Sequence, residues 1–127
     1  MKKIIILILF LVGCSNSKYI TPEKAYDMID NDNVIFLDVR ESFEYNGGHL
    51  KNSINIPLDE LENNLYQLDK DKTIIVYCFS GNRAQIALEI LSNNGYKKIY
   101  TFGGTTNWEY ELYTLTVNNL GKCLKNF

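Results

Sequence analysis

The sequence predicts an α/β domain, a parallel sheet covered by helices on both faces. Three observations point there. The runs "NVIFLDV" (33–39), "KTIIVYC" (72–78) and "KKIYTF" (97–102) are rich in β-branched and aromatic residues, as strands buried on both faces require. Helical patterns separate these runs. No two-residue hairpin signal joins them, so the connections are crossovers and the strands run parallel. Sites in such sheets lie at the carboxyl ends of strands, where Asp38 and Cys78 fall.

Each element has its own warrant. "TPEKAYDMID" (21–30) starts a helix, with Thr21 as cap, Pro22 in the first turn, and Ala25, Met28 and Ile29 on one face. Asn31 and Asn33 break it. The first strand ends near Asp38. "RESFEYNGGHL" (40–50) is a short helical piece closed by Gly47 and Gly48, and "NSINIP" (52–57) is a brief strand stopped by Pro57. Asp59 with Glu62 forms a capping-box pattern, and Leu61, Leu65 and Leu68 follow at helical spacing. After the second strand a helix begins at or beside Asn82. It places Ala84, Ala87, Leu88 and Leu91 on one face and ends at Gly95, a residue suited to a C-terminal cap. The third strand runs into Gly103–Gly104 and a short helical segment around Trp108. "ELYTLTVNN" (111–119) alternates weakly, as a strand or a tail.

The 127 residues are 46% hydrophobic and 22% charged, enough for one domain with a modest core. Nine tyrosines, six phenylalanines and a tryptophan exclude a disordered chain. Three cysteines do not make a disulfide scaffold. Cys78, Cys123 and the lone His49 are too scattered for a structural zinc site, and neither a metal nor a cofactor is expected. The formal charge is −2, and no basic run interleaved with aromatics occurs. The expectation is therefore no nucleic-acid partner; a monomer is expected. A small anionic substrate would need a local positive site.

The chain opens "MKKIIILILFLVGC": a positive start at Lys2 and Lys3, then an apolar run from Ile4 to Val12, as in an export signal and too short to span a bilayer comfortably. "LVGC" resembles the lipobox of bacterial lipoproteins. That resemblance implies cleavage before Cys14 and diacylation of its thiol. Residues 1–13 are then a signal peptide, 14–19 a lipidated N-terminus and tether, and 20–127 the domain. Loss of Lys2 and Lys3 takes the formal charge from −2 to −4. The protein is expected to be exported and held on the extracytoplasmic or periplasmic side of a membrane through Cys14. Ser15 in the next position resembles outer-membrane sorting, where a cell has two membranes.

The stretch "VYCFSGNRAQIALEIL" (76–91) carries the chemistry. Cys78 ends a strand shortly before a helix begins. A tight loop there turns backbone N–H groups inward, and these groups and the helix N-terminus favour an anion, hence a thiolate. Gly81 permits the turn, and Arg83 adds a fixed charge able to hold an oxyanion with two hydrogen bonds. Taken alone, Cys78 is equally readable as a core residue.

Several motifs in order resemble a single-domain rhodanese, the sulfurtransferase family, over roughly residues 20 to 112. "FLDVRESFEYNGGHLKNSINIPLDEL" is similar to the family's aspartate–valine–arginine stretch, glycine–histidine pair and following "IN(I/V)P". "VYCFSGNRAQIALEILSNNGYKKIYTFGGTTNW" is similar to its active-site loop, helix, glycine–tyrosine pair and terminal Gly–Gly…Trp. The resemblance implies that Cys78 takes sulfane sulfur as a persulfide, assisted by Arg83. Phe79, Ser80, Gly81 and Asn82 would form the loop whose amides surround it. It also implies that Asp38 and Arg40 brace nearby loops and that His49 is structural. A small sulfur-containing anion such as thiosulfate would be the donor, and a thiol or cyanide the acceptor. Two departures stand out: Ala84 where the family usually has Ser, Thr or Gly, and "HLKNS" where it usually has "HIPGA". Tyrosine phosphatases, and the phosphatases and arsenate reductases of this fold, have a loop one residue longer between cysteine and arginine, which argues against phosphoryl chemistry. Two alternatives stay open. One is a lipid-anchored sulfur carrier or interaction module without turnover. The other is a redox role in which Cys123 resolves an oxidised Cys78.

Overall fold

The computed structural model describes residues 18–117 and 123–125. Residues 1–17, with Cys14 and the expected leader, lie outside the described residues, and so does the side chain of Cys123. The order of elements is helix α1 (Pro22–Asp27), strand β1 (Val34–Asp38), helix α2 (Ser42–Gly47), strand β2 (Ile54–Asn55), 3-10 turns at Leu58–Glu60 and Glu62–Gln67, strand β3 (Thr73–Cys78), helix α3 (Asn82–Asn93), strand β4 (Ile99–Gly104), a 3-10 turn at Thr105–Asn107, and strands β5 (Leu115–Val117) and β6 (Cys123–Lys125). The first four strands form one parallel sheet in the order β2-β1-β3-β4.

Strand periodicity divides the core in two. Leu37, Ile74, Val76, Cys78 and Ile99 face one layer, where α3 lays down Ala84, Ala87, Leu88 and Leu91. Phe36, Ile75, Tyr77 and Phe102 face the other, against Ala25 of α1, Leu50 and Trp108. The expected helical faces are the ones that pack. Thr21 caps α1 by accepting the Lys24 amide at 3.2 Å, with Pro22 in its first turn. Gly95 follows α3 at φ +85°, the left-handed region that favours glycine.

One expectation changes, and one reading left open is decided. The segment with the Asp59–Glu62 pattern forms two 3-10 turns, the second kinked at Asn64 (φ −122°, ψ 16°), and has no side-chain cap. Its leucines fall in pairs three apart, Leu58 with Leu61 and Leu65 with Leu68, the spacing that eclipses side chains on a 3-10 turn. The capping box forms instead on α2, where the Glu41 amide donates to Glu44 Oε2 at 2.9 Å. The tail is a hairpin, since β5 pairs antiparallel with β6 in a separate two-stranded sheet. Just before it, Tyr113 and His49 exchange both backbone hydrogen bonds, at 2.9 and 2.7 Å, and tie the tail to the loop after α2.

Candidate active site

Cys78 closes β3 and is 1% exposed. Beside it the β3–β4 register shifts, so that Val76 opposes Thr101 but Cys78 opposes Gly104. Gly103 absorbs the extra residue at φ +101°. Gly104 then lies so close to the backbone of Cys78 and Phe79 that no Cβ fits there. Thr106 holds the same segment from the far side, its amide and hydroxyl both donating to the Phe79 carbonyl at 3.1 Å. The sulfur-bearing turn is thus seated on the end of β4.

Gly81 takes φ +106° and caps α3. Its N–H points back into the turn and donates to Cys78 Sγ at 3.0 Å, while Sγ lies 3.9 Å from the Gly103 carbonyl. Phe79 is 52% exposed, Ser80 and Asn82 are exposed, and Gly81 is half-buried. The turn therefore holds a sulfur that is itself covered, with a donor aimed at it and a twelve-residue helix starting at its mouth. Ala84 is wholly buried in the layer under α3.

Arg83 does not stand free over the turn. Its Nη1 donates to Glu44 Oε2 at 2.7 Å and its Nη2 to Glu44 Oε1 at 3.0 Å, an end-on pair with both groups partly buried. The hydrogen bonds from Arg83 hold the Glu44 carboxyl well below the usual range, at about 2, and the same bonds raise Arg83. Glu44 was not among the expected site residues. The signal for it is Glu41–Glu44, a capping-box spacing directly after the aspartate–valine–arginine stretch.

Asp38, Arg40 and His49 form a second tier. Asp38 is fully buried and takes the Arg40 amide at 2.9 Å, Nε at 3.0 and 3.1 Å, and Nη2 at 2.7 Å; Nη2 also reaches the Gly48 carbonyl at 2.7 Å. Burial opposes the Arg40 charge, but the hydrogen bonds and charge of Asp38 raise it on balance. The Asn55 amide group clamps the same bend by donating to the Asp38 and Arg40 carbonyls at 3.0 and 2.9 Å. His49 stacks on Tyr45 at 3.9 Å, and its Nδ1 lies 2.9 Å from the Tyr45 carbonyl, which only an N–H can satisfy. Tyr77, whose hydroxyl is raised first by burial and then by the Asp38 carboxylate, donates to Ser53 Oγ and receives the Leu50 amide. These residues fix the loops around α2, and α2 carries Glu44. Among the described residues no three metal-ligating side chains come together.

The comparisons with known proteins agree with this fold. Residues 21–111 match the family model described as a rhodanese-like domain. The chain belongs to that family. Among solved structures it is similar to a rhodanese-related protein from Thermoplasma volcanium (37% identity, TM-score 0.67, covering 74% of this chain and 95% of that one). It is also similar to a rhodanese with anions from E. coli (32% identity, TM-score 0.60, covering 64% and 98%). Among curated relatives it is 34% identical over 93 residues to a tRNA uridine(34) hydroxylase of Photorhabdus laumondii, covering 68% of this chain and 26% of the relative. The chain thus spans about a quarter of the length of the curated relatives it matches.

Those relatives correct one expectation. An acidic net charge predicts no nucleic-acid partner, yet domains similar to this one occur within proteins named for a tRNA nucleoside. Net charge governs non-specific attraction to phosphates. It does not decide what a local surface, or another part of a longer protein, brings to the domain.

Proposed function

We propose that this rhodanese-like domain is a sulfurtransferase working through a persulfide on Cys78. The observation that carries the proposal is the Gly81 N–H aimed at Cys78 Sγ at 3.0 Å, at the N-terminus of α3. That donor and the helix end stabilise negative charge on sulfur. In the first step the Cys78 thiolate bonds to the outer sulfur of the donor. The donor's sulfur–sulfur bond breaks, and its electron pair leaves with the donor's remaining group, sulfite where thiosulfate is used. In the second step a thiol or cyanide takes the outer sulfur and the Cys78 thiolate returns. The turn formed by Phe79, Ser80, Gly81 and Asn82 holds the persulfide. Asp38, Arg40 and His49 act at a distance by fixing the loops, since their polar atoms are engaged with one another and with backbone.

The test is the intact mass of the purified chain after exposure to a sulfane-sulfur donor. One added sulfur is expected, removable by cyanide and absent from Cys78→Ala. No gain with any donor, after full reduction of the protein, would make the domain an interaction module.

The tRNA-named relatives support a second function, in which the domain serves a tRNA or a tRNA-modifying partner. Fluorescence anisotropy with labelled tRNA tests it, and affinity no better than for an unrelated RNA would remove it. Location separates the two settings. The "LVGC" motif supports export and anchoring through Cys14, and an exported domain does not meet tRNA.

A further inference from the structure

Arg83 is the charge expected to receive an anionic donor, yet both of its terminal nitrogens hold Glu44, at 2.7 and 3.0 Å. The other guanidinium of this region, Arg40, is committed to Asp38 and the Gly48 carbonyl. The four ionised side chains Asp38, Arg40, Glu44 and Arg83 therefore cancel. The groups that face the sulfur carry no full charge: the Gly81 N–H and the N-terminus of α3. An amide suits the single charge of a persulfide sulfur. A dianion would meet the Cys78 thiolate with no uncompensated cation to offset the repulsion. Nor does Glu44 release its hold by protonation at any pH where a cysteine ionises, because Arg83 keeps its carboxyl at about 2. Glu44 is also held from its own side, since the Glu41 amide donates to Oε2, the oxygen that Nη1 of Arg83 contacts. Moving it aside breaks the cap of α2 as well as the ion pair.

We propose that Glu44 sets the donor class: by taking the fork and the charge of Arg83, it makes a persulfide of low charge the preferred sulfur donor to Cys78 over a dianion such as thiosulfate. This rests on the sulfurtransferase function above. The Cys78 sulfur bonds to the terminal sulfur of the donor persulfide, whose sulfur–sulfur bond breaks. The electron pair leaves on the donor's inner sulfur as a thiolate, which then takes a proton from water. No oxidant or reductant is consumed. Glu44 is a positioning residue here, because it acts through Arg83 and touches no reacting atom.

The experiment follows the rate of sulfur addition to the full chain by mass spectrometry, with two probes: thiosulfate and the persulfide of 2-mercaptoethanol. In the native protein the persulfide is expected to load Cys78 at least about tenfold faster at equal concentration. Glu44→Gln keeps the shape and the Glu41 cap but removes the charge, and should move the ratio toward thiosulfate by about tenfold. Glu44→Asp keeps the charge and should restore the native preference. A native preference for thiosulfate, or a ratio unmoved in Glu44→Gln, overturns the inference while leaving the sulfurtransferase function standing. No sulfur addition from either probe overturns both. The ratio in the native protein decides even where a variant fails to fold.

Discussion

At the scale of single residues, charge in this site is spent on pairing. Arg40 closes on Asp38 and Arg83 on Glu44, so an arginine that reads as a substrate ligand in the sequence is a bound cation in the fold. Glu44 has a folded value of about 2 against an ordinary 4.5, a lowered acid. It therefore contributes stability that is fully present above about pH 4.5 and is lost as pH falls toward 2. Two measurements check this: the side-chain carboxyl shift of Glu44 followed by NMR through acid, and the urea midpoint over the same range. Titration of Glu44 near 4.5 would mean that the pair with Arg83 does not form in solution.

At the scale of elements, the turn after β3 depends on β4 as much as on its own residues. Gly103 and Gly104 make the bulge and the close approach that place Cys78 Sγ under the Gly81 amide. A Gly104→Ala methyl would collide with the Cys78 and Phe79 backbone. It should lower stability by about 1–3 kcal/mol, as overpacking does, and slow sulfur addition beyond what the loss of folded protein explains. Denaturation curves paired with rates per folded molecule separate the two effects, and an unchanged rate would show that the turn holds its shape without this seat. The Gly–Gly pair was legible in the sequence as a motif, but its purpose was not, since the partner backbone lies some 25 residues away in the chain. The helix expected after Asp59 failed for a related reason. Leucines at three-residue spacing fit an α-helix or a 3-10 turn by pattern, and in the fold they enter the core layer of Leu37 and α3 as pairs on 3-10 turns.

At the scale of the whole molecule, the Cys78 turn sits at the carboxyl end of the sheet, while the described chain enters beside β4, where Tyr19 bridges Thr101. Residues 14–19 are proposed to tether the domain to a membrane through Cys14. Cys14→Ser expressed with its leader should leave the detergent phase and appear in the aqueous phase on partitioning. Retention in the detergent phase would remove the lipid anchor, and recovery of the unprocessed native chain from the cytoplasm would reopen the tRNA setting.

Local pattern in the chain was sufficient for the parallel α/β sheet, the buried face of α3, the cap of α1 and the position of Cys78 at the end of a strand. These follow from periodicity and local chemistry, which act over a few neighbouring residues. Who partners Arg83, how Gly104 seats the turn, and that Tyr113 is tied to His49 emerge only once the chain is folded. Each of these is a contact between segments far apart in the chain, and hydrogen-bond geometry between such segments exists only once the sheet has brought them together.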